Sequence, residues 1–141
     1  MDYQQAFAIS AAGMRVERTR VEIASLNLAN ANTVSSPVAV GFQPLRVLAT
    51  AGGTFANLVA GDVAASLPLA SVEPSPVRPR LVLDPGHPLA DERGFVAYPG
   101  VDPAAEMVTL MAAARAYEAN VAALGTARAL ALKTLEIGRT P

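Results

Sequence analysis

The chain has no cysteine and a single histidine, and these two shortages remove most of the chemistry that a protein of 141 residues could carry. Without thiols there is no disulfide, no thiolate nucleophile and no cysteine-type zinc site, and the redox compartment is left open. The lone His87 lies in Asp84-Pro85-Gly86-His87-Pro88, and it supplies one ligand where a metal or catalytic centre needs two or three to converge. It reads as part of a rigid turn whose imidazole hydrogen-bonds locally. Asp84, Asp91 and Glu92 lack the alternate-residue oxygen spacing of a calcium loop and read as a solvated acidic loop. No serine stands in a Gly-x-Ser-x-Gly elbow, and no glycine-rich loop ends in Gly-Lys-Ser/Thr. The sequence therefore predicts no enzyme, no metal and no cofactor.

Charge is also scarce. Charged residues make up 16% of the chain against 52% hydrophobic, the net charge is −1, and the 11 basic residues are scattered. Such a surface has no electrostatic footprint for nucleic acid or an anionic membrane. No run approaches the roughly 18 apolar residues of a membrane span, so direct membrane insertion is not expected. Met1-Asp2-Tyr3 has no basic n-region, and Arg15, Glu17, Arg18, Arg20 and Glu22 interrupt the apolar residues that follow. This is not a cleavable signal peptide, and export would need a route that cleaves none.

What the sequence does have is a heptad-patterned helix at each end. Asp2 is a good N-cap with Gln5 in the capping-box position. Phe7, Met14, Val21 and Leu28 then recur every seven residues along one helix face, with Ile9, Val16 and Ile23 nearly opposite. A helix of some 28 residues, about 40 Å long, with two apolar faces asks for two partners. Near the other end, Asp102-Pro103 supplies an N-cap and a proline at the first helical position. Met107, Ala114, Val121 and Leu135 form one row there, Leu110, Tyr117, Leu124 and Ala131 a companion row, and Gly138 a stop after Ile137. The outer positions are mostly alanine, which lets other backbones approach closely.

Between the helices, prolines and glycines break any long element. Short β-leaning runs at Leu45 to Leu48, Leu81 to Leu83 and Phe95 to Tyr98 fit between the breakers, while Ala49 to Ala70 shows no clear period. The expected architecture is α+β: a helix over 1–33, a small β-rich irregular module over 34–101 and a helix over 102–141, the two helices paired as a coiled coil.

The first helix ends in Asn27-Leu28-Ala29-Asn30-Ala31-Asn32-Thr33. Asn32 fits a left-handed helix exit. Asn27 and Asn30 share a face and are costly to bury without amide partners; an interfacial role fits them, with Tyr117, Glu118 or Asn120 as partners.

These residues also carry a resemblance. The asparagine string and Ala8-Ile9-Ser10-Ala11-Ala12-Gly13-Met14 resemble the N-terminal signature of the bacterial flagellar rod and hook axial family. Asp84-Pro85-Gly86-His87-Pro88, Gly94 to Pro99, Glu106-Met107-Val108, Ala116 to Val121 and Leu132 to Arg139 resemble its proximal-rod branch. The matches cover residues 2–33 and 81–139. Gly41-Phe42-Gln43-Pro44 lacks the basic residues usual after the signature, and Val47 to Val72 has no match. The resemblance implies an axial structural subunit, exported without signal cleavage by the flagellar type III apparatus and polymerised into the proximal rod. Its implied neighbours are copies of itself, other flagellar rod proteins and the junction protein at the export gate. Terminal helices would form the inner tube and transmit torque. In this reading Phe7, Met14, Val21 and Leu28 meet Leu110, Tyr117, Leu124 and Leu135, while Ile9, Val16 and Ile23 contact neighbouring subunits. Asn27, Asn30, Asn120 and Val121 complete the expected assembly interface. A soluble coiled-coil adaptor or secretion chaperone is the rival expectation.

Overall fold

A computed structural model describes residues 3–39, 41–53, 56, 59 and 67–138. The element order over these residues is α1 (Tyr3–Asn30), β1 (Leu45–Ala51), β2 (Pro68–Pro74), β3 (Arg80–Leu83), β4 (Phe95–Tyr98) and α2 (Pro103–Ile137). The fold is α+β, with two small antiparallel sheets between the helices. The expected N-cap at Asp2 lies outside the described residues.

Helix α2 starts as its sequence predicts. The Asp102 carboxylate accepts hydrogen bonds from Ala104 N at 3.0 Å and Ala105 N at 3.4 Å, satisfying two of the donors that a helix start leaves orphaned. At the far end Gly138 N donates to Thr134 O at 3.2 Å, one residue beyond the last helical residue. The exit from α1 differs from expectation. No non-glycine residue among those described has a positive φ, so Asn32 is not in a left-handed cap. Asn30 closes the helix instead: its Nδ2 donates back to Leu26 O at 2.9 Å, and its Oδ1 accepts from the Thr33 hydroxyl at 3.4 Å. A side-chain amide that caps its own helix removes the need for left-handed geometry.

The chain divides into two compact units, one of Met1–Thr19, Leu48–Ser71 and Ala112–Pro141, the other of Arg20–Val47 and Val72–Met111. In the second unit β3 and β4 pair antiparallel, with Arg80 opposite Tyr98 and Leu83 opposite Phe95. The Arg80 guanidinium lies 5.2 Å from the centre of the Tyr98 ring, a cation–π contact between cross-strand neighbours. Ser35 exchanges two backbone hydrogen bonds with Ala97, each 2.9 Å, and so extends the sheet at the outer edge of β4. Val96 and Ala97 are the buried centre of this module.

The β3–β4 connection runs from the Asp84 to Pro88 motif to the one that starts at Gly94. His87 behaves as a turn residue, its Nδ1 accepting from Leu89 N at 3.1 Å. The Asp91 carboxylate accepts from Arg93 N at 2.9 Å and Phe95 N at 2.8 Å, folding the chain back into β4. Gly94 has φ +80°, and a Cβ there would lie 3.1 Å from the Pro85 ring. Both the backbone geometry and the close proline favour glycine at this position.

Strands β1 and β2 form the other sheet. Ser75 N donates to Pro44 O at 2.7 Å, and Arg46 pairs with Glu73 at 3.3 Å; both ion-pair side chains are about half exposed, so the pair contributes little. β2 was not anticipated, because it starts inside the alanine-rich stretch without a period and both of its ends are prolines.

Candidate assembly interface

The packed face of α2 is legible from burial along the helix. Glu106, Leu110, Ala113, Asn120, Leu124, Ala127 and Ala131 are buried or half-buried, with spacings of three, four and seven. Only Ala114 and Ala116 join them; every other α2 residue is exposed. This is a heptad seam, as predicted, but its stronger row is Glu106-Ala113-Asn120-Ala127. The predicted row Met107-Ala114-Val121-Leu135 is one residue out of phase, which is about 100° of rotation.

The same displacement occurs on α1. Ala6, Ser10, Gly13, Glu17, Arg20, Ala24, Asn27 and Ala31 are all buried or half-buried and alternate by four and three. Phe7, Met14, Val21 and Leu28 flank this seam, each half-buried. The physical reason is size. Six of these eight α1 positions are Ala, Ser, Gly or Asn, which let a neighbouring element come close, while Glu17 and Arg20 share the same face.

Two contacts define the approach of the helices, each inside one unit. In the first unit, a Cβ built on Gly13 would lie 2.7 Å from Asn120 Oδ1, so the bare glycine is what admits the Asn120 side chain. Asn120 Nδ2 itself donates to Ala116 O of its own helix at 2.9 Å. In the second unit, Asn27 Nδ2 donates to Glu106 Oε1 at 2.9 Å.

Among the described residues Asn27 is the most deeply buried polar one, with 1% of its surface exposed. Besides the bond to Glu106, its Nδ2 donates to Leu45 O at 2.8 Å and its Oδ1 accepts from Leu45 N at 3.0 Å. A side-chain amide carries the same donor and acceptor as a peptide group, so Asn27 pairs with the first residue of β1 much as a neighbouring strand would. One amide thereby ties α1 to the start of β1 and to the first turns of α2.

Several expected interface residues fall elsewhere. Val16, expected to face neighbouring subunits, is only 4% exposed and packs within its own chain; it lies beside Ala12 on the flank of the small-residue seam. The amide of Asn27 is satisfied inside the subunit, and its partners are Leu45 and Glu106, not Tyr117, Glu118 or Asn120. Asn30 is likewise satisfied within its own turn. Leu135, expected against the N-terminal helix, is 66% exposed. Ile23 is half-buried, lining a pocket with Arg20, Leu45 and Thr109. Ile9, Tyr117 and Val121 remain exposed, and Met107, Met111 and Leu132 join them, although the sequence reading did not single out Met111 or Leu132 as interface residues. Their signal was present as 100° periodicity beside the seam.

Long terminal helices that leave large apolar side chains in water mark a structural assembly subunit. Among the described residues no cluster of His, Cys, Asp or Glu could hold a metal, and no helix is long and apolar enough to cross a membrane. Residues 92–137 match the family model described as flagellar basal body rod FlgEFG protein C-terminal. The chain is 35% identical to the flagellar basal-body rod protein FlgC of Escherichia coli O6:H1 over 133 residues, covering 94% of this chain and 96% of the relative. It is 32% identical to the FlgC of Bacillus subtilis over 142 residues, with 93% and 95% covered, and 33% identical to that of Aquifex aeolicus over 145 residues, with 96% and 97% covered. The chain belongs to the FlgC family of flagellar basal-body rod proteins. It is a structural subunit of the bacterial flagellar rod, works with other rod proteins in the basal body, and is not an enzyme. The adaptor or chaperone alternative is set aside.

Proposed function

We propose that this subunit builds the proximal rod by pairing α1 and α2 as an antiparallel coiled coil within itself and by offering the outer stripe of α2 to its neighbours. The coiled coil is supported by the two helix contacts. Gly13 to Asn27 and Glu106 to Asn120 both span fourteen residues, two heptads, and they run in opposite directions along the two helices. The middle residues 34–101 form the module carried outside the tube, with residues 1–33 and 102–141 as the assembly helices.

The observation that carries the assembly reading is the exposure of Met107, Met111, Tyr117, Val121, Leu132 and Leu135. At 100° per residue these project within about 120° of one another, an apolar stripe adjacent to the seam. Water-facing stripes of this kind are liabilities for a protein that works alone. In a filament, copies of the chain and other rod proteins cover them, and the helices transmit torque along the shaft. Export through the flagellar type III apparatus without cleavage, and contact with the junction protein at the export gate, belong to the same reading.

The test is a charge placed on the stripe. Val121→Asp is expected to leave the subunit folded and exported, because Val121 is 46% exposed, yet to abolish incorporation into the rod and hence swimming. Val16→Asp is no substitute, since burying a carboxylate there would unfold the subunit itself. Normal motility with Val121→Asp and Leu132→Asp combined would overturn the assignment of this face.

A further inference from the structure

Strand β3 is paired on one side only. β4 lies along its inner edge, and among the described residues no strand lies along the other. Asp84 N donates to Gly94 O at 2.8 Å; with antiparallel alternation, residues 80, 82 and 84 turn their peptide groups toward β4. Those of Leu81 and Leu83 therefore point to the open edge. Ala97, opposite Leu81, directs both of its peptide bonds away from β3 to Ser35, as the same alternation requires.

The open edge carries two exposed apolar side chains between opposite end charges. Leu81 is 57% and Leu83 62% exposed, and they share a sheet face. Arg80 begins the strand and Asp84 follows it, both exposed and in no ion pair among the described residues. Pro79 and Pro85 bound the segment.

We propose that two copies of this chain join antiparallel through their β3 edges, with Val82 on the two-fold axis, making a four-stranded sheet. In this register the outward peptide groups of Leu81 in one copy meet those of Leu83 in the other, so the ladder bonds form in both directions. The same pairing sets Leu81 beside Leu83 on the exposed face and Arg80 opposite Asp84 at both ends, where the pairs are non-hydrogen-bonded and side chains approach closest. A slide of one residue sets an outward peptide group against an inward one. A slide of two sets Leu83 against Pro79 or Leu81 against Pro85, and neither proline has an N–H to donate. The two prolines and the opposite end charges thus select a single register, and the partner they fit is the same strand turned end for end.

A two-fold contact closes at two copies and cannot propagate. It therefore describes the subunit outside the rod, goes beyond the rod reading and does not depend on it. The cysteine-free sequence allows a direct test in the full chain. Val82→Cys brings two thiols across the axis at roughly 4.5–5.5 Å between Cβ atoms, while the two copies of Leu81→Cys sit diagonally at roughly 7–8 Å. Under mild oxidation Val82→Cys is expected to give a disulfide-linked dimer at least ~10-fold faster than Leu81→Cys, given the short Cβ separation that a disulfide needs. By sedimentation, Arg80→Glu or Asp84→Arg alone is expected to weaken dimerisation by about tenfold or more, and the double reversal to restore it, since opposite charges in direct register attract and like charges repel. Equal cross-linking of the two cysteine variants would overturn the proposal. So would a wild-type chain that stays monomeric at high concentration, or a dimer indifferent to either single reversal. That last result would assign association to the helices and leave the rod reading untouched, whereas failure of the Val121→Asp test leaves the β3 contact untouched.

Discussion

Asn27→Ala should be the most costly single-atom-group deletion on α1. The wild-type amide makes three hydrogen bonds, to Leu45 O, from Leu45 N and to Glu106 Oε1. The variant keeps the helix, which alanine favours, but strands the N–H and C=O of Leu45 beside a small void. At about 1 kcal/mol net for each bond, the loss comes to about 3 kcal/mol. Glu106 is half-buried and can turn to water, so its share is the smallest. Glu106→Gln keeps an acceptor for Asn27 and should cost less than about 1 kcal/mol, because a neutral bond replaces a charge-assisted one. Urea denaturation followed by circular dichroism measures the global loss, and hydrogen exchange at the Leu45 amide reads the local one. A stability change within about 0.5 kcal/mol, the range of an ordinary surface substitution, with unchanged protection at Leu45, would refute the clamp.

The two helix glycines should respond in opposite senses. Gly125 has nothing within 4 Å of an added Cβ, so Gly125→Ala should stabilise α2 by about 1 kcal/mol through helix propensity alone; Gly13→Leu, driven into Asn120, should cost about 1–3 kcal/mol by overpacking. Thermal unfolding of both variants checks the pair. Asp102→Ala removes the α2 cap and should cost about 1 kcal/mol, seen as faster hydrogen exchange at Ala104 and Ala105.

The extents of the helices were legible because caps and long periods are written locally: Asp102-Pro103 opens α2 and Gly138 follows its end. β1, β3 and β4 were legible from β-branched and aromatic runs between breakers, and β3 and β4 fell within a residue of their observed limits. The phase of the helix seam was not. Hydrophobic periodicity weights large side chains, so Phe7, Met14, Val21 and Leu28 outweighed Ala6, Gly13 and Ala24, the small residues on the row that also holds buried Asn27. Alanine is ambiguous to such a reading, being both the best helix former and a close-packing residue. Asn27 stood out as an expensive polar residue, but its main partner is the backbone of Leu45, and a peptide group has no side-chain signature to find.

The one-residue displacement of the seam bears on how subunits, in the proposed assembly, keep from joining through α2 before they reach the rod. Had the large residues filled the seam, the lone chain would bury most of its apolar area and have little left to give. A seam that is mostly Ala, Ser, Gly and Asn, with Glu17, Arg20, Glu106, Leu110 and Leu124 among them, buries less per turn, and most of the large apolar side chains are left for a neighbour. Met107, Met111, Val121, Leu132 and Leu135 are each about half to two-thirds exposed. Completing the burial of each is worth about 1–1.5 kcal/mol, on the order of 5–7 kcal/mol for the stripe. That is comparable to the translational, rotational and ordering cost of one association, roughly 4–15 kcal/mol. In the proposed assembly, one such contact leaves a pair of subunits near balance, and association becomes firm only where a growing end covers the stripe from more than one side. The same energetics predict that Leu132→Asp, which subtracts one contact from every neighbour, lowers incorporation far more than it lowers pairwise affinity. Equal losses in the two measurements would refute multi-sided coverage of the stripe.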